Sequence, residues 1–159
     1  FSSLTSELGT WDGVAFLYLF AGTGAVGLEA LSRGAEVVES VEKDPQALQV
    51  CRDNFEIVSR GLVELGKFRA HGGAVNTFIR SASGNPFNVI FLDPPYEFTN
   101  EDIENILTAL ATSSLLAPAA IVAVERPSRN SPFAWPAGFT ASKERKYGEA
   151  LVYFASVSL

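Results

Sequence analysis

Asp93, Pro94, Pro95 and Tyr96 are four consecutive residues whose types could prepare an amine for reaction. An exocyclic amine of a nucleobase is a poor nucleophile, because its lone pair is delocalised into the ring. A carboxylate and a carbonyl held by proline can accept its N–H bonds and direct the lone pair towards an electrophile. The tyrosine ring can stack on the base, which is worth about 1–3 kcal/mol. We predict that these four residues are catalytic; the structural alternative is a proline-rich turn.

A glycine motif, Gly22-Thr23-Gly24-Ala25-Val26-Gly27, matches G-x-G-x-x-G between a predicted strand and a predicted helix. Its first two glycines let the backbone approach a ligand, and the third allows close helix–strand packing. Glu42 follows Gly22 by twenty residues and is placed to accept hydrogen bonds from a ribose diol. Sites for NAD, FAD and S-adenosylmethionine all use this arrangement, and a tight turn without a ligand is the structural alternative.

The two motifs fit one reaction if the glycine loop holds S-adenosylmethionine and Asp93 holds an amine. The sulfonium has a good leaving group, so the protein mainly has to align the reactants. Neither a metal nor a covalent intermediate is required. His71 is the only histidine and has no Cys or His near it in the sequence, so we expect a loop histidine and no metal site.

An alternation of strands and helices must position these motifs. Continuous apolar runs predict strands buried on both faces, and apolar residues at helical spacing predict the helices between them. Asp44 with Pro45, and Thr99 or Asn100, predict helix starts. The predicted strands are 16–20, 36–41, 67–70, 87–92 and 119–124, followed by a hairpin of 139–147 and 151–157. The predicted helices are 25–33, one from residue 45 through residue 58, 74–79 and 101–112. The predicted fold class is α/β, a mostly parallel sheet with an antiparallel C-terminal hairpin.

Composition narrows the class of protein further. The chain has 159 residues, of which 47% are hydrophobic and 19% charged, which disfavours disorder. No apolar run approaches the roughly 20 residues of a membrane span, so no membrane partner is expected. One cysteine and the lack of a signal peptide favour a cytoplasmic location. We expect one domain over 1–159 whose native N-terminal segment is missing, because the sequence begins at Phe1.

The charge distribution is uneven along the chain. The net charge of −6 and a pI of about 4.8 argue against a nucleic-acid partner. From residue 118 onwards, however, five cations exceed three anions, giving +2 against −8 for the rest. These cations are candidate phosphate contacts for a nucleic acid or simply a solvated face. They are Arg126, Arg129, Lys143, Arg145 and Lys146.

Five sequence runs together resemble the RsmD-type methyltransferases, which methylate the N2 amine of a guanine in bacterial small-subunit ribosomal RNA. The runs are Phe20-Ala21-Gly22-Thr23-Gly24, G-L-E-A-L-S-R-G-A from Gly27, Val41-Glu42-Lys43-Asp44, Asp93-Pro94-Pro95-Tyr96 and Lys146-Tyr147-Gly148. The resemblance covers nearly the whole chain. It implies a seven-stranded Rossmann-like fold, S-adenosylmethionine as the methyl donor, and ribosomal RNA or an assembling small subunit as partner.

The resemblance also implies roles for single residues. Gly22, Thr23 and Gly24 would line the methionine end of the donor, and Glu42 would hold its ribose. Asp93 and Pro94 would orient the amine, and Tyr96 would stack on guanine. The candidate donor contacts are Phe20, Ala21, Gly22, Thr23, Gly24, Glu42, Lys43, Gly73 and Ala74.

The chain departs from the family at three places. Tyr18 stands where the family usually has Asp, and His71-Gly72-Gly73-Ala74 lacks the usual acidic residue near the adenine. An arginine-bearing segment that precedes the domain in the family is absent before Phe1. The departures at Tyr18 and 71–74 leave open a non-catalytic RNA-binding member of the fold. The Asp-Pro-Pro-Tyr motif would equally suit an adenine-N6 DNA methyltransferase, and a nicotinamide-dependent oxidoreductase is a more distant alternative. A monomer is expected.

Overall fold

Seven strands form one sheet in the computed structural model, which describes residues 1–61 and 66–158. The strands are β1 (Ala15–Leu19), β2 (Val37–Glu42), β3 (Lys67–Gly72), β4 (Phe87–Leu92), β5 (Leu116–Pro127), β6 (Phe139–Tyr147) and β7 (Ala150–Val157). Their spatial order is β3-β2-β1-β4-β5-β7-β6. The first five strands are parallel, and β7 pairs antiparallel with both β5 and β6. The predicted α/β fold, a mostly parallel sheet with an antiparallel C-terminal hairpin, is confirmed.

Five helices in the described ranges cover the two faces of the sheet. They are α1 (Ser2–Leu8), α2 (Ala25–Ser32), α3 (Pro45–Ser59), α4 (Val75–Ser81) and α5 (Asn100–Ala111). The side chains of the central strands alternate between two apolar clusters. Residues of α1, α2 and α3 pack in one cluster, and residues of α4 and α5 pack in the other. The buried β1 and β4 lie at the centre of both.

The predicted helix starts follow from local capping chemistry. The Asp44 side chain accepts a hydrogen bond from the Ala47 amide, and proline occupies the first turn of α3. For α5 the structure selects Thr99 as the N-cap, in a reciprocal capping box with Asp102. The hairpin is also as predicted, with Gly148 at φ 61° in its turn.

Three elements differ from the sequence prediction. Helix α1 was not predicted, because only Leu4 of its seven residues is a buried apolar residue. Strand β5 is longer than predicted and starts at Leu116. It accommodates Pro118 through a register irregularity against β4, with Ala119 at φ 60°. His71 lies in β3 rather than in a loop. None of the helices in the described ranges is both long and apolar enough to cross a membrane.

Gly27 allows α2 to lie close against the sheet. A Cβ atom at this position would lie 3.0 Å from Val38 Cγ1 and 3.3 Å from Ser40 Oγ. Both neighbours belong to β2, at the centre of the α2 side of the sheet. The spacing between helix and strand is therefore set by the absence of a side chain at Gly27.

Gly27→Val should lower the free energy of unfolding by about 1–3 kcal/mol, because the added atoms overpack this contact. Ala25→Val is the matched control, since Ala25 is exposed in the same helix and β-branching there should cost only about 0.5 kcal/mol. Urea denaturation of both variants measures the difference. Equal destabilisation of the two would show that the contact at Gly27 does not limit packing.

Candidate active site

The register between β1 and β4 brings the two sequence motifs together. Leu19 pairs with Leu92, and the Asp93 amide donates a hydrogen bond of 3.3 Å to the Leu19 carbonyl. The glycine loop leaves β1 and the Asp-Pro-Pro-Tyr segment leaves β4 at this same edge. Because the strands are parallel and adjacent, both motifs lie at the carboxyl edge of the sheet, where open α/β sheets bind ligands.

The glycine loop has a backbone that requires glycine at two positions. Gly22 has φ 56°, and no atom lies within 4 Å of the place where its Cβ would be. Gly24 caps α2 with φ 83°, and a Cβ there would lie 2.5 Å from Cys51 Sγ. The first glycine thus faces open space, as a ligand-binding turn requires, and the second allows α2 and α3 to approach each other. Cys51 is buried in this contact.

Glu42 ties the glycine loop to the end of β2. Its Oε1 accepts a 2.7 Å hydrogen bond from the Gly22 amide, and its Oε2 accepts a 2.8 Å bond from the Asp44 amide. Sequence reasoning placed Glu42 near a ribose but did not identify these two bonds. A carboxylate has about four acceptor positions, so two remain for a diol. Glu42 therefore holds the loop and still has capacity for a ligand.

The other candidate donor contacts lie around the same opening. Gly73 follows β3 and donates from its amide to the Glu42 carbonyl at 3.1 Å. It has φ 121° and, like Gly22, open space beside it. Lys43 and Ala74 are exposed next to it. The ends of β1, β2 and β3 thus offer exposed backbone groups and one carboxylate that can form hydrogen bonds. These groups fit an adenosine that carries a charged amino-acid tail.

The Asp-Pro-Pro-Tyr segment forms one wall of a cleft of about 530 Å³. Asp93 is half-buried, Pro94 is buried and Pro95 is exposed. The Tyr96 ring is 76% exposed, with the Arg129 guanidinium 5.8 Å from its centroid. A solvent-facing aromatic ring beside a cation is suited to stacking on a nucleobase.

Glu125 stands next to Asp93 and was missed by sequence reasoning. In the parallel register Leu92 pairs with Val124, so the residues that follow are neighbours. Burial, followed by the negative charge of Glu125 and a hydrogen bond with it, raises the pKa of Asp93 to about 6. The available signal was an acidic residue directly after the apolar run 121–124, at the carboxyl end of a predicted strand.

The family model described as Conserved hypothetical protein 95 matches residues 1–156. The chain belongs to this family.

The resemblance to RsmD-type methyltransferases is confirmed by relatives named Ribosomal RNA small subunit methyltransferase D. The Escherichia coli K12 relative is 31% identical over 82% of this chain and 62% of its own length. The Haemophilus influenzae relative is 28% identical over 81% of this chain and 64% of its own length. The chain spans less than two thirds of the length of these relatives.

Solved structures show the same fold. A conserved hypothetical protein from Streptococcus pyogenes superposes with a TM-score of 0.83 at 26% identity, covering 99% of this chain and 94% of that one. The magnesium protoporphyrin IX methyltransferase ChlM of Synechocystis PCC 6803, solved with bound SAM, gives a TM-score of 0.72 at 12% identity, covering 98% of this chain and 76% of that one. At that identity the likeness concerns the fold alone.

Tyr18, in β1, is a buried neutral ring. It is 4% exposed and packs edge-on against Phe91 with centroids 5.7 Å apart. Burial, and secondarily the charges of Asp93 and Glu125, raises the pKa of its phenol well above the usual range. The phenol therefore adds no charge beside the glycine loop.

Two of the five cations predicted to contact RNA, Arg126 and Lys143, already have partners within the protein. Arg126 is 4% exposed and donates from Nη2 to the Phe98 carbonyl at 2.7 Å; burial lowers its pKa. Lys143 forms a 2.7 Å ion pair with Glu7 of α1. These contacts arise because β5 and β6 turn both side chains inward, which composition alone does not reveal. Arg126 and Arg129 both line the cleft, and Arg145 and Lys146 are exposed.

His71 has an acidic partner in the sheet. His71 Nε2 lies 2.6 Å from Glu39 Oε1, on the α4 side of the sheet. Within residues 1–61 and 66–158 no three His, Cys, Asp or Glu side chains form a metal-binding group. The histidine is therefore explained by its acidic partner.

Asp93→Asn should stabilise the protein at pH 8 by about 1–3 kcal/mol. The carboxyl ionises near 3.8 when unfolded and near 6 when folded. Ionisation therefore costs folded-state stability as the pH rises through this window, and the full cost is present above it. Asparagine cannot ionise and therefore avoids that cost at pH 8. At pH 4 the folded Asp93 carboxyl is protonated, so the stability gain from asparagine should largely disappear. Urea denaturation at both pH values measures it.

Asp12→Asn, at an exposed loop position, is the control and should show no comparable difference between the two pH values. A gain for Asp93→Asn that is the same at pH 4 and pH 8 would contradict the raised pKa.

Proposed function

We propose that this chain is a methyltransferase domain that uses S-adenosylmethionine to methylate the N2 amine of a guanine in small-subunit ribosomal RNA. The observation that carries the proposal is the placement of the glycine loop and Asp93 at the ends of adjacent parallel strands. The names of the E. coli and H. influenzae relatives support the RNA substrate. We include in the same proposal a cytoplasmic location, a monomeric state and a reaction that needs no metal.

The donor would lie over the ends of β1, β2 and β3. When bound, S-adenosylmethionine supplies an electrophilic methyl group on a sulfonium. Gly22, Thr23 and Gly24, with Phe20 and Ala21 before them, would contact its methionine end. Glu42 would accept hydrogen bonds from the ribose with the lone pairs that its two amide bonds leave free. Lys43, Gly73 and Ala74 would surround the adenine.

Asp93 and Pro94 would hold the acceptor amine. The Asp93 carboxylate and the Pro94 carbonyl accept one N–H each, so the nitrogen lone pair is left to point at the methyl group. Transfer of the methyl group from the sulfonium to the amine would require the nitrogen to release a proton. A carboxylate with a pKa of about 6 can take that proton at neutral pH.

Tyr96 and the cations would bring the base to Asp93. A base is accessible to such a site only when it is unpaired or flipped out of its helix. The exposed Tyr96 ring can stack on it. Arg129, Arg145 and Lys146 remain candidate phosphate contacts, while the inward placement of Arg126 and Lys143 gives them other partners.

The competing substrate is adenine N6 in DNA, since Asp-Pro-Pro-Tyr also suits that amine. Fewer than 70 residues separate Gly27 from Asp93, and this segment forms β2, β3, β4 and the helices between them. No insertion large enough to read duplex DNA lies there among the described residues.

Transfer of a labelled methyl group to small-subunit ribosomal RNA but not to duplex DNA supports the proposal. Methylated adenine as the product would overturn it, and RNA binding without donor binding would favour a non-catalytic role.

Asp93→Ala and Glu42→Ala should separate the two halves of the site. Asp93→Ala should lower turnover at least about a hundredfold with nearly unchanged donor affinity, because a positioned proton acceptor contributes that much. Glu42→Ala should weaken donor binding by about 10- to 100-fold, since it removes charged hydrogen bonds and frees the loop. Calorimetry with S-adenosylmethionine and single-turnover kinetics measure the two effects. Unchanged turnover in Asp93→Ala would show that Asp93 is structural.

A further inference from the structure

Two carboxyl groups face the same cleft from adjacent strands. The register that pairs Leu92 with Val124 makes Asp93 and Glu125 neighbours, and strand alternation places both on the side of Phe91 and Ala123. Both carboxyls line the 530 Å³ cleft, together with Pro94 and Tyr96. The proposed function uses only the first of them.

No salt bridge explains the position of Glu125 within the described part of the chain. The neighbouring Arg126 also lines the cleft, but its Nη2 donates to the Phe98 carbonyl and it forms no ion pair with Glu125. Burial and then the neighbouring Glu125 carboxyl make ionisation of Asp93 less favourable, so its pKa is raised. Ionisable groups with a strongly perturbed pKa in a cleft commonly belong to a ligand-binding or catalytic site.

The purine edge that the pair could bind is defined by its donors. Guanine presents the N2 amine and the N1–H side by side, so two adjacent acceptors suit it. Adenine presents its N6 amine beside N1, which is an acceptor. A carboxylate that faces N1 would therefore attract guanine and repel adenine.

We propose that Glu125 accepts a hydrogen bond from N1–H of the guanine whose N2 amine is held by Asp93, and so makes the site specific for guanine. This inference rests on the proposed function. It assigns Glu125 as a specificity-determining residue that contacts the base without contacting the transferred methyl group.

The test uses 2-aminopurine, which has the same N2 amine as guanine but an acceptor at N1. After the methylated guanine is mapped, ribosomal RNA fragments are prepared with guanine or 2-aminopurine at that position. For the wild-type chain, kcat/KM should be at least about a hundredfold higher with guanine. In Glu125→Gln the amide can donate to N1 of 2-aminopurine or accept from N1–H of guanine, so this ratio should fall at least tenfold.

Glu149→Gln is the matched control. Glu149 lines the same cleft from the β6–β7 turn, so the substitution removes an equal charge nearby and should leave the ratio unchanged. Calorimetry with S-adenosylmethionine checks that Glu125→Gln keeps its donor site. A ratio that falls equally in both variants would assign the effect to charge in the cleft and overturn the inference.

Two further outcomes separate this inference from the proposed function. If the wild-type chain methylates guanine and 2-aminopurine equally well, N1–H is not read and the inference fails while the proposed function stands. That result decides the matter even if Glu125→Gln does not fold. If the wild-type chain methylates adenine N6 and no guanine, the proposed function fails and the inference fails with it.

Discussion

The hydrogen-bonded register between β1 and β4 is the constraint on which the site depends. It places Leu19 beside Leu92 and fixes the Asp93 amide on the Leu19 carbonyl. Strand β1 is followed by a turn open enough for a ligand, and β4 is followed by a carboxylate and an aromatic ring. A shift of one residue would turn Asp93 to the other face of the sheet, away from Glu125 and Tyr18. The apolar clusters on both faces hold this register, because every central strand is buried on both sides.

The same edge of the sheet carries an electrostatic cost. Asp93 is partly removed from water beside Glu125, and its pKa is raised as a result. Tyr18 beneath them is neutral, so it adds no further charge. A carboxylate that is expensive to ionise is a better proton acceptor near neutral pH than a solvated one. The cost to stability and the capacity for chemistry therefore have one cause, which is the burial of acidic groups at the end of a hydrophobic sheet.

The sequence predicted what local chemistry decides. The glycine loop, the proline-started α3, the capped α5 and the C-terminal hairpin all depend on residues a few positions apart. The features it missed depend on register and tertiary packing. The proximity of Glu125 to Asp93 appears only when β4 and β5 are aligned, and the burial of Arg126 depends on its contact with Phe98. Likewise, Glu42 was predicted to hold a ribose, yet its bonds to the Gly22 and Asp44 amides become visible only in three dimensions.

The most direct test of the account is a crystal structure of the protein with S-adenosylmethionine bound. We expect the methionine end over Gly22 to Gly24, the ribose on Glu42, and the sulfonium methyl group directed at the cleft beside Asp93. A methyl group that points away from Asp93, or one too far from Asp93 for a purine amine to reach both, would contradict it.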